Sequence, residues 1–585
     1  MAKRTGSVAI RKKISSTVDW DNLIDYGPTP RLVRGRPNVA LFNANPFNYG
    51  IANLGSQTVA QYLMERDINV YFAYADTMGH RPFLNDSAMT VAGCDVIGLS
   101  IPFEDTYLNA LRMLRNAGLP VWSRERGDDM PLVVAGGLAM INPMPFSEFV
   151  DVVVIGEGRE ALYEIVVRYC RARQLGMSKR DALFQFVDIP GVYVPSHYRI
   201  EVDDMGYVAD FECLNGHPQI ESNVPLDPVE YPICSVWTSR FACYEYEDYF
   251  SIMAAMGCHK KCPFCVVGHV QGAKSGRAMT GDLDQIMSMA LERRGRYGTN
   301  LIKIFFSSAF SPGDGDIHSE AIKELLERMI HYGFSCRVGS LNVKQADNEI
   351  FELLAAVGQR EVTFAPETTQ DLRVTIGKKY ISDDKLHRLA QYANKHGFAL
   401  NVYSLGALPG ETDHHTRQFA KLLTSLRKEH GTQQPMYVHY NPAFMKAQTP
   451  FQYFGNTRPT EIRRKFALLQ AELSQTDIQF VSVIPDAMVY YQPILALGDF
   501  EAGRVMEYLS RARGEPSEFD WQTAFSRLGF KDNRYFTAKD PERTLPWEHI
   551  GYTDHQRLKK RAAGIARAAA RLQSALVDGD DQHGI

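Results

Sequence analysis

The sequence predicts an α/β protein built from two successive parallel-sheet domains. Two series of short apolar runs, separated by helix-length stretches, support this prediction. The first series predicts a doubly wound domain. The second predicts a partial β/α barrel of six strand–helix units, followed by a smaller C-terminal α+β region. The chain has 585 residues, enough for about three to four domains of roughly 150 residues each.

The doubly wound domain is predicted over residues 37–175, after a polar lead-in over residues 1–36. Continuous apolar runs are typical of parallel strands that are buried on both faces. The expected strands are 39–42, 70–74, 96–101, 132–135 and 152–155, with helices at 53–66 and 105–117. Residues 176–245 are interpreted as a linker that contains a small β segment at 197–210.

The barrel is predicted over residues 246–475. Its expected strands are 249–255, 301–307, 335–340, 361–365, 399–405 and 436–440. Its expected helices are 282–296, 317–332, 345–356, 383–397, 412–430 and 459–475. Because a closed barrel needs eight units, six predict a barrel with an open side.

Residues 476–555 are predicted to form a smaller domain that covers the substrate at the barrel mouth. Its aromatic side chains either stack on a substrate ring or form a plain hydrophobic core, and the core is the favoured interpretation: Tyr490, Tyr491, Trp521, Phe525, Tyr535 and Trp547. No acid–base role is assigned to Tyr490, Tyr491 or Asp486, and the catalytic residues stay unknown.

Residues 556–585 are predicted to form a basic helix and tail. Arginine, lysine and alanine recur at helical spacing between His555 and Leu572. Such a helix can contact nucleic acid or a membrane, but a solvated terminal helix is the favoured interpretation.

The composition argues against several classes of protein. With 45% hydrophobic and 23% charged residues, the chain can bury a large core. A net charge of −4 argues against a wholly basic nucleic-acid-binding protein. No apolar run reaches the roughly 18 residues that span a bilayer, and none follows the basic N-terminus as in a secretory signal. We therefore expect a cytoplasmic protein with neither membrane nor nucleic acid as a partner.

Three of the nine cysteines lie within eight residues, as Cys258, Cys262 and Cys265 at spacing C-x3-C-x2-C. This segment directly follows the first predicted barrel strand, and nine cysteines are too few for a disulfide scaffold. Thiolates are the usual ligands of iron–sulfur clusters, and three of them leave one iron of a [4Fe-4S] cluster free.

Zinc is the alternative metal for these cysteines, with His259 or His269 as a further ligand. Structural zinc sites usually carry two pairs of ligands, whereas only one triplet is present here. The isolated Cys94, Cys170 and Cys336 are expected to be small buried hydrophobic residues.

The cysteine triplet, with an aromatic residue directly before its last cysteine, resembles the radical S-adenosylmethionine (SAM) superfamily. Residues 340–343 and 405–412 also resemble strand-end elements of that family. After the second strand, residues 305–308 lack the glycine pair and the acid that the family usually has. The resemblance implies that the three cysteines hold a [4Fe-4S] cluster whose free iron chelates SAM. The implied SAM contacts are Phe264, Ser307, Ser308, Ser340, Glu367, Ala407 and Leu408.

The strand-end loops of the front domain resemble the cobalamin-binding domain that precedes many radical SAM barrels. The Gly136–Gly137 pair and the Gly-Glu-Gly run at 156–158 are the main features of this resemblance. No histidine lies between residues 1 and 79, so the lower cobalt face is expected to have no histidine ligand from this segment. Two alternatives stay open: plain tight turns, and a domain that keeps this shape without cobalamin. The implied cobalamin contacts are Asn53, Leu54, Gly55, Ser100, Ile101, Phe103, Glu104, Thr106, Gly136, Gly137, Gly156, Glu157 and Gly158.

Two later segments extend the resemblance over residues 37–551. Residues 441–452 resemble a stretch of several radical SAM barrels, and residues 545–550 resemble the C-terminal motif of a cobalamin-domain radical SAM group. The nearest functional analogue by architecture is tryptophan 2-C-methyltransferase, a class B methyltransferase.

The resemblance implies a cobalamin-dependent methyltransferase. It would move a methyl group from SAM through methylcobalamin to an unactivated or sp2 carbon of a small molecule or peptide, by a radical or a polar route. An external electron donor such as flavodoxin or ferredoxin is the implied partner. The alternatives are a cobalamin-dependent cyclase or rearrangement enzyme, a tRNA-modifying radical SAM enzyme, and a non-catalytic iron–sulfur protein.

Overall fold

The computed structural model describes residues 20–580, except 79–81, 87, 228, 243–248, 259, 271–278, 281, 306–316, 342, 345 and 482–483. Within these residues both predicted series of parallel strands are present, each covered by helices. The predicted α/β fold class is therefore confirmed.

The front domain is a six-stranded sheet in the order β2-β1-β3-β4-β5-β6. The strands are β1 (Asn38–Asn43), β2 (Asn69–Tyr74), β3 (Val96–Ser100), β4 (Leu132–Gly136), β5 (Val152–Val154) and β6 (Val192–Tyr193). All neighbours are parallel except β6, which runs antiparallel to β5. The strand order reverses between β1 and β3, and ligands of doubly wound sheets bind beyond the carboxyl ends of the strands at such a point.

Helices cover both faces of this sheet, which explains why its strands are apolar throughout. Helices Leu54–Met64 and Arg159–Gln174 pack on one face, and helix Tyr107–Asn116 packs on the other. The shorter helices of this half are Trp20–Leu23, Phe47–Gly50 and Lys179–Leu183.

The segment that joins the two sheets contains a hairpin and one short strand, and a two-stranded ribbon follows within the barrel half. The hairpin is formed by β7 (Tyr198–Val202) and β8 (Val208–Cys213), where the sequence predicts a small β element. The strand β9 (Ile220–Glu221) pairs in parallel with β20 (Ile550–Gly551), and β12 (Ala255–Met256) pairs with β13 (Met279–Thr280).

The partial barrel consists of two four-stranded sheets, β10-β11-β14-β15 and β16-β17-β18-β19. Their strands are β10 (Ile233–Cys234), β11 (Phe250–Met253), β14 (Leu301–Phe305), β15 (Ser335–Val338), β16 (Glu361–Glu367), β17 (Ala399–Gly406), β18 (Met436–Pro442) and β19 (Gln479–Val481). A 2.8 Å hydrogen bond from the Leu341 N–H to the Thr363 carbonyl links the two sheets. The six predicted strands are present, and β19 is a further parallel strand that the sequence analysis missed because it is only three residues long.

The six predicted barrel helices are also present. They are Leu283–Tyr297, Ile317–His331, Asn348–Ala356, Asp383–Lys395, Asp413–His430 and Pro459–Glu472. Several begin at side chains that accept a hydrogen bond from the first helical turn, as at Asp282, Asp347 and Ser382. Alternate residues of the strands, such as Leu400 and Val402, pack against these helices.

The C-terminal region packs against the front domain. Its helices are Met488–Ala496, Phe500–Ser510 and Glu518–Leu528. Glu507 pairs with Arg115 of the front domain at 2.5 Å. Trp521, Tyr535 and Trp547 are almost fully buried in one core with the front sheet, which supports the interpretation of these aromatic residues as core.

The final helix, His555–Asp580, is not the solvated helix that the sequence analysis favours. Leu558, Ala562, Ile565 and Ala569 are buried and lie on one face, because they recur three or four residues apart. Alanine, arginine and lysine dominate this segment, and they conceal the narrow apolar stripe in the sequence. No helix among the described residues is both long enough and apolar enough to cross a bilayer.

Burial of three histidines predicts that the fold loses stability in mild acid. Burial lowers the pKa of His197, His549 and His555 to about 4, whereas an unfolded histidine has a pKa of about 6.5. Between these values the unfolded chain binds protons that the folded chain does not, so the free energy of unfolding falls as the pH falls from about 6.5 to about 4.

Urea unfolding at a series of pH values measures the slope of the free energy of unfolding against pH. The variant His549→Gln should show a shallower slope, and His331→Gln, at an exposed position, should keep the slope of the unmodified protein. Equal slopes in all three proteins would contradict the prediction.

Candidate functional site

The three clustered cysteines lie in a loop, residues 257–265, between β12 and the short helix Val267–Val270. We call it the cysteine loop. All three thiols are free; Cys262 is buried, and Cys258 and Cys265 are half-buried. Burial raises the pKa of the Cys262 thiol to about 12, Lys378 opposes this rise, and the Cys265 and Cys258 thiols add to it.

The backbone of the cysteine loop is held by residues outside it. The Lys261 carbonyl accepts a hydrogen bond from Arg561 Nη2 at 2.8 Å. The Pro263 carbonyl accepts one from the Phe451 N–H at 3.3 Å. The Cys262 carbonyl is shared between the Cys265 N–H, at 3.0 Å, and His269 Nε2, at 3.2 Å. An irregular loop pairs few of its own backbone groups, so the partners outside the loop fix its shape.

Gly268 allows the following helix to lie directly on the cysteine loop. A Cβ atom at this position would lie 2.8 Å from Lys261 Cα and 3.3 Å from the Cys258 carbonyl oxygen. Real Cβ contacts of 2.8 Å essentially never occur, so only glycine fits here without a shift of the loop.

His269 is engaged with the backbone. Because a carbonyl only accepts hydrogen bonds, His269 Nε2 must carry the proton that it shares with the Cys262 oxygen. Burial lowers the pKa of His269 to about 4, so the ring is neutral near pH 7. His259 lies outside the described residues. Across the part of the chain that the structure describes, no three His, Cys, Asp or Glu side chains form a single-ion site.

A buried ion pair lies beside the thiols, and the sequence analysis missed its cation. Lys378 Nζ lies 2.7 Å from Glu367 Oε1 and 2.8 Å from the Ala365 carbonyl. Burial lowers the pKa of Lys378, but Glu367 and the Cys262 and Cys265 thiols outweigh it, and the pKa is raised overall. No motif marks this lysine, because it follows its strand by eleven residues in the sequence.

The residues predicted to contact SAM lie at several strand ends. Glu367 ends β16, and Ala407 and Leu408 follow β17 directly; all three are buried. The half-buried ring of Phe264 lies 6.4 Å from that of Phe451, measured between centroids. Ser340 is exposed just beyond β15. Ser307 and Ser308 lie outside the described residues.

Three residues around this site adopt left-handed backbone without being glycine. They are Lys261 at φ 46°, Glu367 at φ 67° and Ala407 at φ 60°. Such conformations cost of order 1–3 kcal/mol each and occur mainly at functional sites. Their position, in the cysteine loop and at two strand ends, is typical of a ligand site at the mouth of a β/α barrel.

An apolar cavity of about 530 Å³ lies between the front domain and the barrel. This volume is within the roughly 300–1,000 Å³ that is usual for cofactor and small-molecule sites. One wall is formed by the strand-end loops of the front sheet, and the opposite wall includes Met253, Met256, Val270 and Phe305. Met256 and Val270 flank the cysteine loop in sequence. The segments on either side of the cysteine loop therefore form part of the cavity wall.

Most of the residues predicted to contact cobalamin line this cavity: Asn53, Leu54, Gly55, Ser100, Phe103, Gly136, Gly137, Gly156, Glu157 and Gly158. Three do not. Ile101 is fully buried in the core, and the Thr106 hydroxyl donates to the Phe103 carbonyl at 2.7 Å. Glu104 Oε1 pairs with Lys446 at 2.7 Å and Oε2 accepts from Gln492 at 3.1 Å, so this carboxylate links the front domain to the barrel and to the C-terminal region.

The cavity glycines are of two kinds. Gly137 and Gly156 have φ of 121° and 97°, and a Cβ atom on either would lie within 2.3 Å of a carbonyl oxygen, so the backbone itself requires them. Gly136 and Gly158 have ordinary backbone, and a Cβ there would meet nothing closer than 3.9 Å. Their missing side chains leave open space in the cavity wall, which is the shape that a large flat ligand needs.

Two polar side chains of the cavity wall are already paired within the protein. Asn53 Oδ1 accepts from the Ser56 N–H at 3.0 Å and begins helix Leu54–Met64. Both carboxylate oxygens of Glu157 bind the Arg159 guanidinium, at 3.0 and 3.1 Å. The wall therefore offers a ligand mainly apolar groups and glycine backbone.

The two late sequence segments meet each other beside the site. Trp547 Nε1 donates to Gln452 Oε1 at 2.9 Å, and Gln448 Nε2 donates to the Ile550 carbonyl at 3.0 Å. Phe451, from the same segment as the two glutamines, binds the cysteine loop. These segments thus connect the barrel, the C-terminal region and the cysteine loop.

Two protein-family descriptions match the chain. The description "Radical SAM superfamily" matches residues 253–423, and "Radical SAM proteins, N-terminal" matches residues 61–195. Together they cover slightly more than half of the chain. No curated protein sequence matches the chain significantly.

Solved structures with similar folds include two cobalamin-bound proteins. TsrM, a radical S-adenosylmethionine methyltransferase from Kitasatospora setae solved with cobalamin and a [4Fe-4S] cluster, has 15% identity over 84% of this chain and 100% of TsrM, with a TM-score of 0.49. OxsB, a cobalamin-dependent S-adenosylmethionine radical enzyme solved with aqua-cobalamin and S-adenosylmethionine, has 12% identity over 94% of this chain and 81% of OxsB, with a TM-score of 0.46.

For the Lys378–Glu367 pair, we expect that removing the cation alone lowers the free energy of unfolding more than removing both charges. Lys378→Met leaves the Glu367 carboxylate buried without a cation, which should lower the free energy of unfolding by about 3–5 kcal/mol. The double variant Lys378→Met/Glu367→Gln should recover most of this loss, because it removes both charges.

Urea unfolding of the unmodified protein, of Lys378→Met and of the double variant tests this prediction. Lys395→Met is the matched control, since its ion pair with Glu352 is more than half exposed and should contribute less than about 1 kcal/mol. Two outcomes would argue against a buried pair. One is an equal loss of unfolding free energy in Lys378→Met and Lys395→Met, and the other is a double variant no more stable than Lys378→Met alone.

Proposed function

Because the chain belongs to the radical SAM superfamily, we propose that it is a cobalamin-dependent radical SAM methyltransferase. Its substrate is an unactivated or sp2 carbon of a small molecule or peptide. The observation that carries this proposal is that the segments on either side of the cysteine loop form part of the wall of the front-domain cavity. Two cofactors bound at these two places would face each other across the barrel mouth.

Cys258, Cys262 and Cys265 are the proposed ligands of a [4Fe-4S] cluster. Their C-x3-C-x2-C spacing in one loop and the absence of a fourth cysteine in that loop fit a cluster that keeps one iron open. The cluster and SAM supply radical chemistry when bound, and cobalamin supplies a methyl carrier. The chain binds and orients these groups and excludes water from them.

SAM is proposed to bind between the cysteine loop and the strand ends. The residues assigned to it are Phe264, Ser307, Ser308, Ser340, Glu367, Ala407 and Leu408. Lys378 keeps the Glu367 carboxylate in one orientation. The Leu408 N–H is held by Glu411 Oε2 at 3.0 Å, so the loop after β17 is fixed before any ligand binds.

Cobalamin is proposed to bind in the cavity. The open positions of Gly136 and Gly158 would allow the corrin to approach the backbone. Phe103, which lines the cavity and has 60% of its surface exposed, would cover one side of the ligand. An external one-electron donor such as flavodoxin or ferredoxin is the proposed partner.

Anaerobic reconstitution followed by labelling with deuterated-methyl SAM tests this function. The purified protein, given iron, sulfide and hydroxocobalamin, should bind about four irons and one corrinoid per chain. Under low-potential reductant the methyl label should then appear on the extracted corrinoid. A protein that holds zinc or no iron would contradict the whole proposal, and a bound corrinoid that stays unlabelled would favour a rearrangement enzyme.

The variant Gly136→Val is expected to lose the corrinoid and to keep the iron–sulfur cluster. A Cβ atom at this position would meet only Val154 Cβ, at an ordinary contact distance of 3.9 Å, so the fold should persist, but the valine side chain would occupy the proposed corrin position. Corrinoid binding should fall at least about tenfold, as expected for an overpacked site, while the iron content stays unchanged.

Gly564→Ala, at an open position of the final helix, is the matched control and should bind both cofactors. Corrinoid content is read from optical spectra and iron from metal analysis. Undiminished corrinoid binding by Gly136→Val would place cobalamin elsewhere.

A further inference from the structure

The final helix is part of the wall around the cysteine loop. Its buried face packs against the turn Pro450–Tyr453 and the turn Leu372–Val374. It also touches the loop after β17, since a Cβ atom on Gly410 would lie 2.8 Å from that of Ala569. A segment that the sequence analysis assigns to solvent thus contacts three parts of the candidate site.

Arg561 is the side chain through which this helix reaches the cysteine loop. Its Nη2 donates to the Lys261 carbonyl at 2.8 Å, across 300 positions of the sequence. The side chain is half-buried. Burial and the neighbouring Arg557 lower the pKa of Arg561, and the Cys262 thiol raises it. Because Lys261 directly precedes Cys262, the hydrogen bond places the guanidinium next to the backbone of that cysteine. A guanidinium is always charged in proteins.

The cysteine loop needs such a partner at this point. Lys261 adopts left-handed backbone at φ 46°, a conformation that costs energy unless the surroundings hold it. The two following carbonyls are paired with His269 and Phe451. Among the described residues, Arg561 is the side chain that holds the Lys261 carbonyl.

We propose that Arg561 is a positioning residue for the cluster site. Its hydrogen bond holds the cysteine loop in the shape that brings the three thiols together, and its charge lies beside them. When one electron from a low-potential reductant enters a cluster, the cluster gains one negative charge, and a nearby cation favours that form. The statements about a cluster rest on the proposed function, whereas the hold on the loop does not.

The hold on the loop can be tested in metal-free protein. Alkylation of Cys262 by iodoacetamide, followed by peptide mass spectrometry, reports how often the loop opens. Arg561→Gln should raise the alkylation rate by about tenfold, the change expected for loss of one charge-assisted hydrogen bond. The alkylation rate of Arg561→Lys, which keeps a charged donor, should lie between those of the unmodified protein and Arg561→Gln.

Arg567→Gln is the matched control, because Arg567 is exposed on the same helix. It should alkylate at the rate of the unmodified protein. Circular dichroism and thermal unfolding must be unchanged in all variants, so that faster alkylation reports the loop and not general unfolding. Equal rates for Arg561→Gln and Arg567→Gln would overturn the proposal.

The reconstituted protein tests the electrostatic part. In Arg561→Gln the midpoint potential of the cluster, followed by electron paramagnetic resonance, should become more negative, and an iron chelator should remove iron faster. Arg561→Lys should restore the potential, and Arg567→Gln should change neither property. An unchanged potential in Arg561→Gln would overturn the electrostatic role.

The two proposals fail in different ways. Absence of iron from the unmodified protein would overturn the cluster and with it the electrostatic role, while the alkylation rates still decide whether Arg561 holds the loop. Normal iron binding with equal alkylation rates would overturn the hold of Arg561 and leave the proposed function standing.

Discussion

The candidate site depends on how the backbone of one irregular loop is satisfied. The cysteine loop belongs to neither a helix nor a sheet, so its carbonyl groups need partners from elsewhere. Those of Lys261, Cys262 and Pro263 are paired with Arg561, His269 and Phe451. These partners belong to the final helix, the short helix after the loop and the segment at 441–452. The thiols can therefore meet only after distant parts of the chain have folded around them.

The contact between domains imposes a second constraint, because the cavity is formed by both of them. Glu104 is buried at this junction, where it binds Lys446 of the barrel and Gln492 of the C-terminal region. Gln448 and Gln452 bind the segment around Trp547. Buried polar groups of this kind are costly to leave unpaired, so they favour one relative position of the domains. The cavity lies next to the segments that flank the cysteine loop because of that position.

Two cationic side chains approach the cysteine loop from different parts of the fold. Lys378 approaches from the loop after β16, with Glu367 as its partner, and Arg561 approaches from the final helix. Three thiolates in one loop would repel each other, and buried cations reduce that repulsion. Under the proposed function, both residues would offset the negative charge of the cluster ligands.

The sequence by itself determined the order of strands and helices, the cysteine triplet and ten of the residues that line the cavity. These features follow from local periodicity and from loops placed directly after strands, which are properties of neighbouring residues. The tertiary structure decided what depends on residues far apart in the chain. It buried one face of the final helix, paired Lys378 with Glu367 and brought Arg561 to Lys261 across 300 positions. It also showed that Gly136 and Gly158 leave space in the cavity wall, whereas Gly137 and Gly156 avoid a clash with the backbone. This difference depends on the folded backbone and cannot be read from the sequence.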